Sequence, residues 1–285
     1  MNNTKKTIFL SGATGVMGKS GLDELCRRLD RFNITLLVRP SKTNKRKMMP
    51  YAQKEGIHIV WGDLMNYDDV LRCVKEADMV LHVGGMVSPQ CDPYPKTTRK
   101  VNLTSAQHIV NAIKAQPNAD NIALVYIGSV AQTGHRNIPY HYGRTGDPIN
   151  PSVYDHYAIS KCEAERIVVE SGVKKWVCLR QSGILYPNLI LNGLNPIIFH
   201  IPIHAVVEWA TVEDSGRLLA NICEDTVPDE FWNRFYNISS GPYYRLTFYD
   251  FVKKLLKITH CPPPEKIFNL HWFALRNFHC YWFTD

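Results

Sequence analysis

The chain has 285 residues, of which 45% are hydrophobic and 21% are charged, and its formal net charge is +7. This composition is ordinary for a folded globular protein and argues against disorder. No apolar run approaches the ~20 residues that a membrane-spanning helix needs, and residues 1–6 lack the apolar core of a signal peptide. We therefore predict a cytoplasmic protein with no membrane partner, large enough for one large or two small domains.

Two further classes of function are disfavoured. The basic run from Arg39 to Lys47 is short and contains no aromatic side chains, so it does not resemble a nucleic-acid-binding face. We predict that most of this run is a solvated loop. The cysteines form no C-x-x-C pair and the histidines no H-E-x-x-H spacing, so neither a metal site nor a disulfide framework is indicated.

The first part of the chain alternates between strand and helix patterns. Short apolar runs predict strands, and apolar residues three and four apart predict helices. The predicted strands are 7–10, 34–38, 57–61, 79–83, 122–127 and 175–179, and the helices between them are 18–29, 66–76, 97–115 and 154–171. Near-continuous apolar strands separated by helices predict an α/β fold with a Rossmann-type, doubly wound parallel sheet.

The pattern changes after Arg180. Residues 181–203 are rich in glycine and proline, Thr211 and Thr247 each precede a helical pattern, residues 235–238 form a further strand pattern, and residues 268–283 are unusually aromatic. We predict a sheet domain over residues 1–180, to which 204–240 returns, and a smaller, interleaved C-terminal lobe from 181–203 and 241–285.

A glycine-rich turn follows the first strand, with the sequence Ser11-Gly12-Ala13-Thr14-Gly15-Val16-Met17-Gly18. Glycines allow the backbone to turn tightly and approach a pyrophosphate, and the N-terminus of the next helix offers free N–H groups to phosphates. The G-x-x-G-x-x-G spacing differs from the common G-x-G-x-x-G. A purely structural turn is the alternative, but the position between first strand and first helix favours a dinucleotide-binding site.

A second pattern is the pair Tyr157 and Lys161 in the stretch Tyr157-Ala158-Ile159-Ser160-Lys161. On a helix, residues four apart lie on one face and their side chains can meet. An ammonium beside a phenol favours the phenolate and lowers the tyrosine pKa toward working pH. The spacing alone is common, so it gains weight only from the glycine turn and from a serine, Ser129, after a predicted strand.

Together these motifs resemble the extended short-chain dehydrogenase/reductase family, which is NAD-dependent epimerase/dehydratase-like. The resemblance covers roughly residues 5–240. Further matching positions are Gly62-Asp63-Leu64 after the third strand, Leu81-His82-Val83-Gly84-Gly85 at the end of the fourth, Asn102 on the next helix, Ile127-Gly128-Ser129 at the end of the fifth strand, and Arg180-Gln181-Ser182-Gly183-Ile184 after the sixth. Gln181 stands where the family has proline.

The resemblance implies a catalytic set of Ser129, Tyr157 and Lys161, with Asn102 in support. Tyr157 would exchange the proton on the substrate oxygen, Lys161 would lower its pKa and bind the nicotinamide ribose, and Ser129 would orient the substrate. His82 is expected to face the core or the cofactor loop. The implied cofactor residues are Gly12, Thr14, Gly15, Val16, Met17, Gly18, Arg39, Asp63, Leu64, Val83, Gly84, Gly85, Asn102, Tyr157, Lys161, Gln181 and Ile184; no metal is implied.

The end of the second predicted strand bears on the choice of nucleotide. NAD-specific Rossmann enzymes usually place an acidic residue there, to bind the ribose 2′-hydroxyl. Here the sequence reads Leu36-Leu37-Val38-Arg39-Pro40. Arg39 can bind a 2′-phosphate through two hydrogen bonds, and Lys42 could assist. We predict NADP(H), with NAD as the alternative if Arg39 only stacks on adenine.

The substrate is a small molecule whose identity the sequence leaves open. The apolar segment 185–203 and the aromatic tail suggest a lipophilic pocket, although most of these residues could simply form a core. We predict an NADP(H)-dependent oxidoreductase acting on a lipophilic ketone or secondary alcohol. The alternatives are a nucleotide-sugar epimerase or dehydratase with tightly bound NAD, and a non-enzymatic dinucleotide-binding redox sensor. The family also suggests a homodimer formed through the helices near 97–115 and 154–171.

Overall fold

The structure is a computed structural model that describes residues 5–136, 142–187, 189, 196–276 and 282–283. Within these residues, the central sheet contains seven strands, and every pairing between neighbours is parallel. In spatial order the strands are β11 (Arg234–Ile238), β7 (Lys175–Gln181), β5 (Ala123–Ser129), β4 (Met79–His82), β1 (Lys6–Ser11), β2 (Phe32–Val38) and β3 (Ile57–Trp61). The predicted Rossmann-type α/β fold is confirmed.

Helices cover the sheet on both faces. One face packs against α1 (Val16–Cys26), α2 (Lys42–Met48) and α6 (Val212–Ile222). The other packs against α3 (Tyr67–Val74), α4 (Pro95–Lys114) and α5 (His156–Val169). Ala106, Ile109 and Ile113 of α4 are fully buried against the sheet, so they are unavailable to the predicted dimer contact, which stays a prediction.

The predicted helix boundaries are close to those observed where capping residues mark them. Asn66, Thr211 and Thr247 each accept a backbone N–H in the first turn of the helix that follows, as N-cap residues do. The expectation of a solvated loop after Arg39 is wrong, because Lys42–Met48 forms α2, which Ser41 caps and Met48 anchors in the core. Good helix-forming residues and one buried contact are enough to order this short basic segment.

A second, smaller core lies beside the carboxyl end of the sheet. Short strands β9 (Val206–Glu208) and β12 (Arg245–Thr247) pair antiparallel, and α7 (Phe248–Ile258) packs behind them. The remaining short elements are β6 (Tyr142–Gly143), β8 (Ile184–Leu185), β10 (Ala210–Thr211), α8 (Pro264–Ile267) and β13 (Trp282–Phe283). Segment 204–240 therefore divides, since β9 joins the small core while α6 and β11 join the sheet; the two-domain boundary itself stays a prediction.

The aromatic tail falls partly outside the described residues, which exclude Phe278 and Tyr281. Phe273 is buried in the small core, against Phe199 and Phe248. Trp272 is largely exposed. In the described parts of the chain, no helix combines the length and the apolar character needed to cross a membrane.

A buried ion pair fixes α5 to the sheet. The Arg180 guanidinium on β7 donates to both carboxylate oxygens of Glu165, at 3.1 and 2.8 Å, and both side chains are at least 93% buried. The guanidinium also lies over the Phe235 ring, at 4.9 Å from its centroid. Charges so deeply buried need each other, because neither can be solvated by water.

We expect Arg180→Met to lower the free energy of unfolding by about 3–5 kcal/mol, because it leaves the Glu165 carboxylate buried and without its cation. Urea denaturation measures the change. Arg166→Met is the matched control, because Arg166 and Glu170 form an exposed pair on the same helix, and its effect should stay within about 0.5 kcal/mol. Equal effects for the two variants would contradict this role of the buried pair.

Candidate active site

The glycine turn between β1 and α1 brings backbone segments into direct contact. Gly12 has a φ of +80°, and a Cβ there would lie 2.7 Å from the backbone nitrogen of Gly84. Gly18 lies inside the first turn of α1, where a Cβ would lie 2.2 Å from the Gly12 carbonyl oxygen. No side-chain hydrogen bond caps the start of α1, so its first N–H groups remain available to phosphate oxygens.

A cavity of about 1030 Å³ opens at the carboxyl ends of the sheet strands. Its walls come from the glycine turn, from the loops after β2, β3 and β4, and from α5 and the small core. Among the predicted site residues, those that line it are Gly12, Thr14, Gly15, Val16, Met17, Gly18, Arg39, Asp63, Leu64, Val83, Gly84, Gly85, Ser129, Tyr157, Lys161, Gln181 and Ile184. Asn102 is buried behind this wall.

The cavity has the features that a dinucleotide needs. In its glycine turn, a side chain at position 12 or 18 would clash with neighbouring backbone atoms. This turn leads to the N-terminus of α1, and phosphates bind where backbone N–H groups converge at a helix N-terminus. At one end, Asp63 accepts the Met65 N–H at 3.0 Å, and Arg39 is exposed beside Asn44. Within the described residues, the Arg39 guanidinium makes no hydrogen bond or ion pair. Lys42, the predicted helper, does not line the cavity.

Ser129 is the last residue of β5 and begins a short 3-10 helix. Its hydroxyl accepts the Ala131 N–H at 3.2 Å, and its own N–H donates to the Gln132 side chain at 2.7 Å. This capping box fixes the serine where the strand leaves the sheet. The Ser129 hydroxyl also lies close enough to the Tyr157 phenol to lower the pKa of that phenol.

Burial governs the acid–base state of Tyr157. Desolvation raises the pKa of Tyr157 above its ordinary value, despite the opposing effect of the Ser129 hydroxyl. Desolvation likewise lowers the pKa of Lys161 to about 8. The sequence led us to expect that Lys161 lowers the pKa of Tyr157. In the structure, the Lys161 ammonium instead donates to the Ile127 carbonyl oxygen at 2.8 Å, and the net pKa of the phenol is raised.

Gln181 keeps the strand geometry at the position where proline was expected. It is the last residue of β7 and pairs with Ser129 on one side and Ile238 on the other. Its side chain accepts a hydrogen bond from Ser215 of α6 at 3.4 Å. The substitution therefore leaves the local backbone extended and connects it to α6.

Sequence reasoning identified only part of the other half of the cavity: the apolar segment 185–203 contributes Ile198 and Ile201 to it, but the remaining residues had no sequence signal. The loop from Met86 to Gln90 forms one wall, and hydrophobic residues of the small core form another: Ile198, Ile201, Trp209, Phe248, Phe251 and Leu255. Trp209 stacks on Phe251 at 4.6 Å between ring centroids, and a Cβ on Gly183 would lie 2.4 Å from the Trp209 ring. These residues belong to separate elements, so their convergence has no signal in local spacing. The available signals were the apolar segment 185–203 and the position of Gly183 after β7.

Among the described residues, no group of three or more histidine, cysteine, aspartate or glutamate side chains is placed to hold a metal ion.

We expect Lys161→Met to stabilise the protein by on the order of 2 kcal/mol near pH 7, because it removes a buried charge. The pKa of Lys161 falls from 10.5 to about 8 on folding, so the unfolded chain binds more protons between those values. The stabilisation should therefore shrink as pH rises from about 8 to about 10.5. Urea denaturation across this range measures it.

Lys100→Met is the control, since Lys100 is exposed on α4 and its removal should not change the pH dependence of stability. A pH-independent effect of Lys161→Met would show that the amine is not desolvated in the folded state.

Comparisons with known proteins agree with this geometry. Part of the chain is 28% identical over 119 residues to mouse (Mus musculus) 3 beta-hydroxysteroid dehydrogenase type 7, covering 41% of this chain and 31% of that protein. Another match, UDP-glucose 4-epimerase from Rickettsia bellii, is 25% identical over 123 residues, covering 42% and 36%. The chain thus matches only about a third of the length of these curated relatives.

Among solved structures, dTDP-glucose 4,6-dehydratase DesIV from Streptomyces venezuelae, with NAD and TYD bound, superposes with a TM-score of 0.73. The identity is 16%, and the match covers 90% of this chain and 82% of that one, which shows a shared fold. Residues 8–183 match the model of the NAD-dependent epimerase/dehydratase family. This match spans more than half of the chain and contains the glycine turn, Ser129, Tyr157 and Lys161, so the protein belongs to the NAD-dependent epimerase/dehydratase family.

Proposed function

We propose that the protein is an NADP(H)-dependent oxidoreductase that interconverts a lipophilic ketone and its secondary alcohol, with Tyr157 as the acid–base group. The observation that carries this proposal is the contrast between the two halves of the cavity. One half is built from glycines and backbone N–H groups, and the other from hydrophobic side chains of the small core.

The charges that line the cavity support an apolar substrate. Among the described lining residues, the lysine and arginine side chains are Lys161, beside Tyr157, and Arg39, at the far end; His200 is the one further basic side chain there. A nucleotide sugar carries a diphosphate, which proteins bind with arginine, lysine or clustered backbone N–H groups. The wall formed by Trp209, Phe248 and Phe251 suits hydrocarbon instead.

The raised pKa of Tyr157 suits proton donation. A phenol whose pKa is raised by burial stays protonated at neutral pH, so it can protonate the oxygen of a carbonyl as hydride reaches the carbon. The nicotinamide would supply that hydride and, when oxidised, a positive charge that favours the phenolate. The Ser129 hydroxyl lies near the phenol and lowers its pKa, so it can orient the same substrate oxygen. The Lys161 side chain lines the cavity and can bind ribose hydroxyls.

The test is consumption of NADPH against a panel of ketones of increasing apolar area. We expect turnover with at least one lipophilic ketone, and Tyr157→Phe should lower kcat by about 10²- to 10⁴-fold while NADPH still binds, because the variant loses only the proton donor. Retained turnover in this variant would remove Tyr157 from the mechanism.

A second expectation concerns nucleotide choice. We expect Arg39→Ala to weaken NADPH binding by ~1.5–3 kcal/mol, or about 10- to 150-fold, and NADH binding far less, because a charge-assisted contact to the 2′-phosphate is lost. Lys45→Ala is the control, since Lys45 is exposed in the same basic segment but does not line the cavity. Equal weakening of both nucleotides by Arg39→Ala, measured by equilibrium titration, would remove the case for NADP.

A nucleotide-sugar epimerase or dehydratase is the second candidate. The family match and the similarity to solved dehydratases, whose structures contain NAD, favour it. Such an enzyme regenerates its nucleotide in each turnover, so NAD that copurifies with the protein and is never consumed would support it over a ketone reductase. A non-enzymatic redox sensor ranks last, because Ser129, Tyr157 and Lys161 all line the cavity.

A further inference from the structure

A path of buried hydrogen bonds runs behind the wall of the cavity. The Gly84 N–H donates to the Ser11 hydroxyl at 3.0 Å, and that hydroxyl lies 3.0 Å from Nδ1 of His82. On the other side of the ring, Nε2 of His82 lies 3.4 Å from the Ser105 hydroxyl, which donates to the Asn102 carbonyl oxygen at 3.2 Å. His82, Ser11 and Ser105 are each at least 98% buried.

The hydrogen-bond partners of Ser11 and Ser105 determine which nitrogen of His82 carries the proton. Ser11 accepts the Gly84 N–H, so its own proton must point elsewhere, and Nδ1 of His82 is a nearer acceptor than the Leu81 carbonyl at 3.5 Å. Nδ1 is then an acceptor, and the ring proton is on Nε2, facing Ser105. Every polar atom along the path is paired in this assignment, as burial requires.

The surroundings keep the imidazole uncharged. His82 is enclosed by β1, α4 and β5, and its ring lies 5.9 Å from the Tyr126 ring, between centroids. Desolvation and the nearby Lys161 ammonium lower the pKa of His82 to about 3.

Asn102 extends the path to the catalytic helix. Its side chain accepts the Met86 N–H at 2.8 Å and donates to the Met86 carbonyl oxygen at 3.1 Å, so it holds both sides of that backbone position. It also donates to the Ser160 hydroxyl at 2.9 Å, and Ser160 donates to the Tyr157 carbonyl oxygen at 2.7 Å. The loop from Gly84 to Met86 and the start of α5 are therefore fixed to one amide.

We propose that His82 is a positioning residue: a neutral imidazole with its proton on Nε2, it holds the Gly84–Met86 loop against α4 and so places the cavity wall opposite Tyr157. The part of this inference that concerns turnover rests on the proposed function, whereas the proton position and the nucleotide-binding wall do not. His82 touches neither the cavity nor the reacting groups, so it acts through Ser11, Ser105 and Asn102.

The first test is nuclear magnetic resonance of ¹⁵N-labelled histidine in the unmodified protein, with the His82 signals assigned by their loss in His82→Gln. From about pH 5 to about pH 8, where an ordinary histidine titrates, the His82 signals should stay constant. They should show an unprotonated Nδ1 and a protonated Nε2. Titration in this range, or a proton on Nδ1, would overturn the inference whatever the enzyme turns over.

The second test compares His82→Phe with His82→Gln. His82→Phe removes both hydrogen bonds. It should weaken binding of the nucleotide that the unmodified protein binds more tightly, NADPH or NADH, by about 2- to 10-fold for each bond lost, measured by tryptophan fluorescence. His82→Gln retains an N–H donor toward Ser105 and should recover part of the loss. With a ketone that the unmodified protein reduces, His82→Phe should lower kcat per folded molecule and change the KM for that ketone by less than about twofold.

Asn111→Ala is the control, because Asn111 is exposed near the end of the same helix. A purely structural role would lower the melting temperature of His82→Phe and leave both nucleotide affinity and kcat per folded molecule unchanged, and that outcome would overturn the proposal. If no ketone is turned over, the proposed function fails, while proton position and affinity for NADPH or NADH still decide this inference.

Discussion

The candidate active site depends on a backbone contact between two turns that leave the sheet side by side. At Gly12, a single added carbon would lie 2.7 Å from the backbone nitrogen of Gly84, and at Gly18 it would lie 2.2 Å from the Gly12 carbonyl oxygen. Because the turns after β1 and β4 touch at this point, the start of α1 and the loop after β4 have fixed relative positions. The cavity forms where these elements end, at the carboxyl edge of a parallel sheet.

Both faces of the sheet combine a hydrophobic core with polar contacts. On the side of α1 and α6, Arg28 bonds Glu224 just beyond the ends of the two helices, and Ser215 bonds Gln181. The side of α4 and α5 also contains a hydrophobic core. It carries in addition buried polar groups that pair with one another: Asn102 with Met86 and Ser160, and Glu165 with Arg180. These directional bonds join α5, which carries Tyr157 and Lys161, to Asn102 of α4 and to β7. The buried Lys161 charge makes folding less favourable, because desolvation disfavours the charged form. This lysine nevertheless lines the cavity beside Tyr157, where the proposed reaction would use it.

The family resemblance and the structure inform different halves of the protein. The family match ends at residue 183, where the chain leaves β7 and enters the segments that build the small core. The conserved geometry of a Rossmann sheet accounts for a dinucleotide, but it does not specify a substrate. The substrate half is instead defined by hydrophobic residues such as Trp209 and Phe251 and by the small number of basic side chains among the described lining residues. This apolar lining is the reason that we propose a ketone rather than a nucleotide sugar as substrate, although several structural neighbours are nucleotide-sugar enzymes.

The sequence by itself determined the order of strands and helices, the glycine turn, and the Tyr157–Lys161 pair, because each rests on local periodicity or on spacing within one element. It also located helix starts at Asn66, Thr211 and Thr247, where side-chain capping is a local interaction. It did not reveal α2, because an exposed helix with one buried residue has almost no apolar periodicity. Only the tertiary structure decided the acid–base state of Tyr157, since burial by distant segments outweighs a neighbour four residues away. The same holds for the hydrogen-bond path through His82 and for the apolar half of the cavity, because both join residues from elements that are far apart in the chain and meet only after folding.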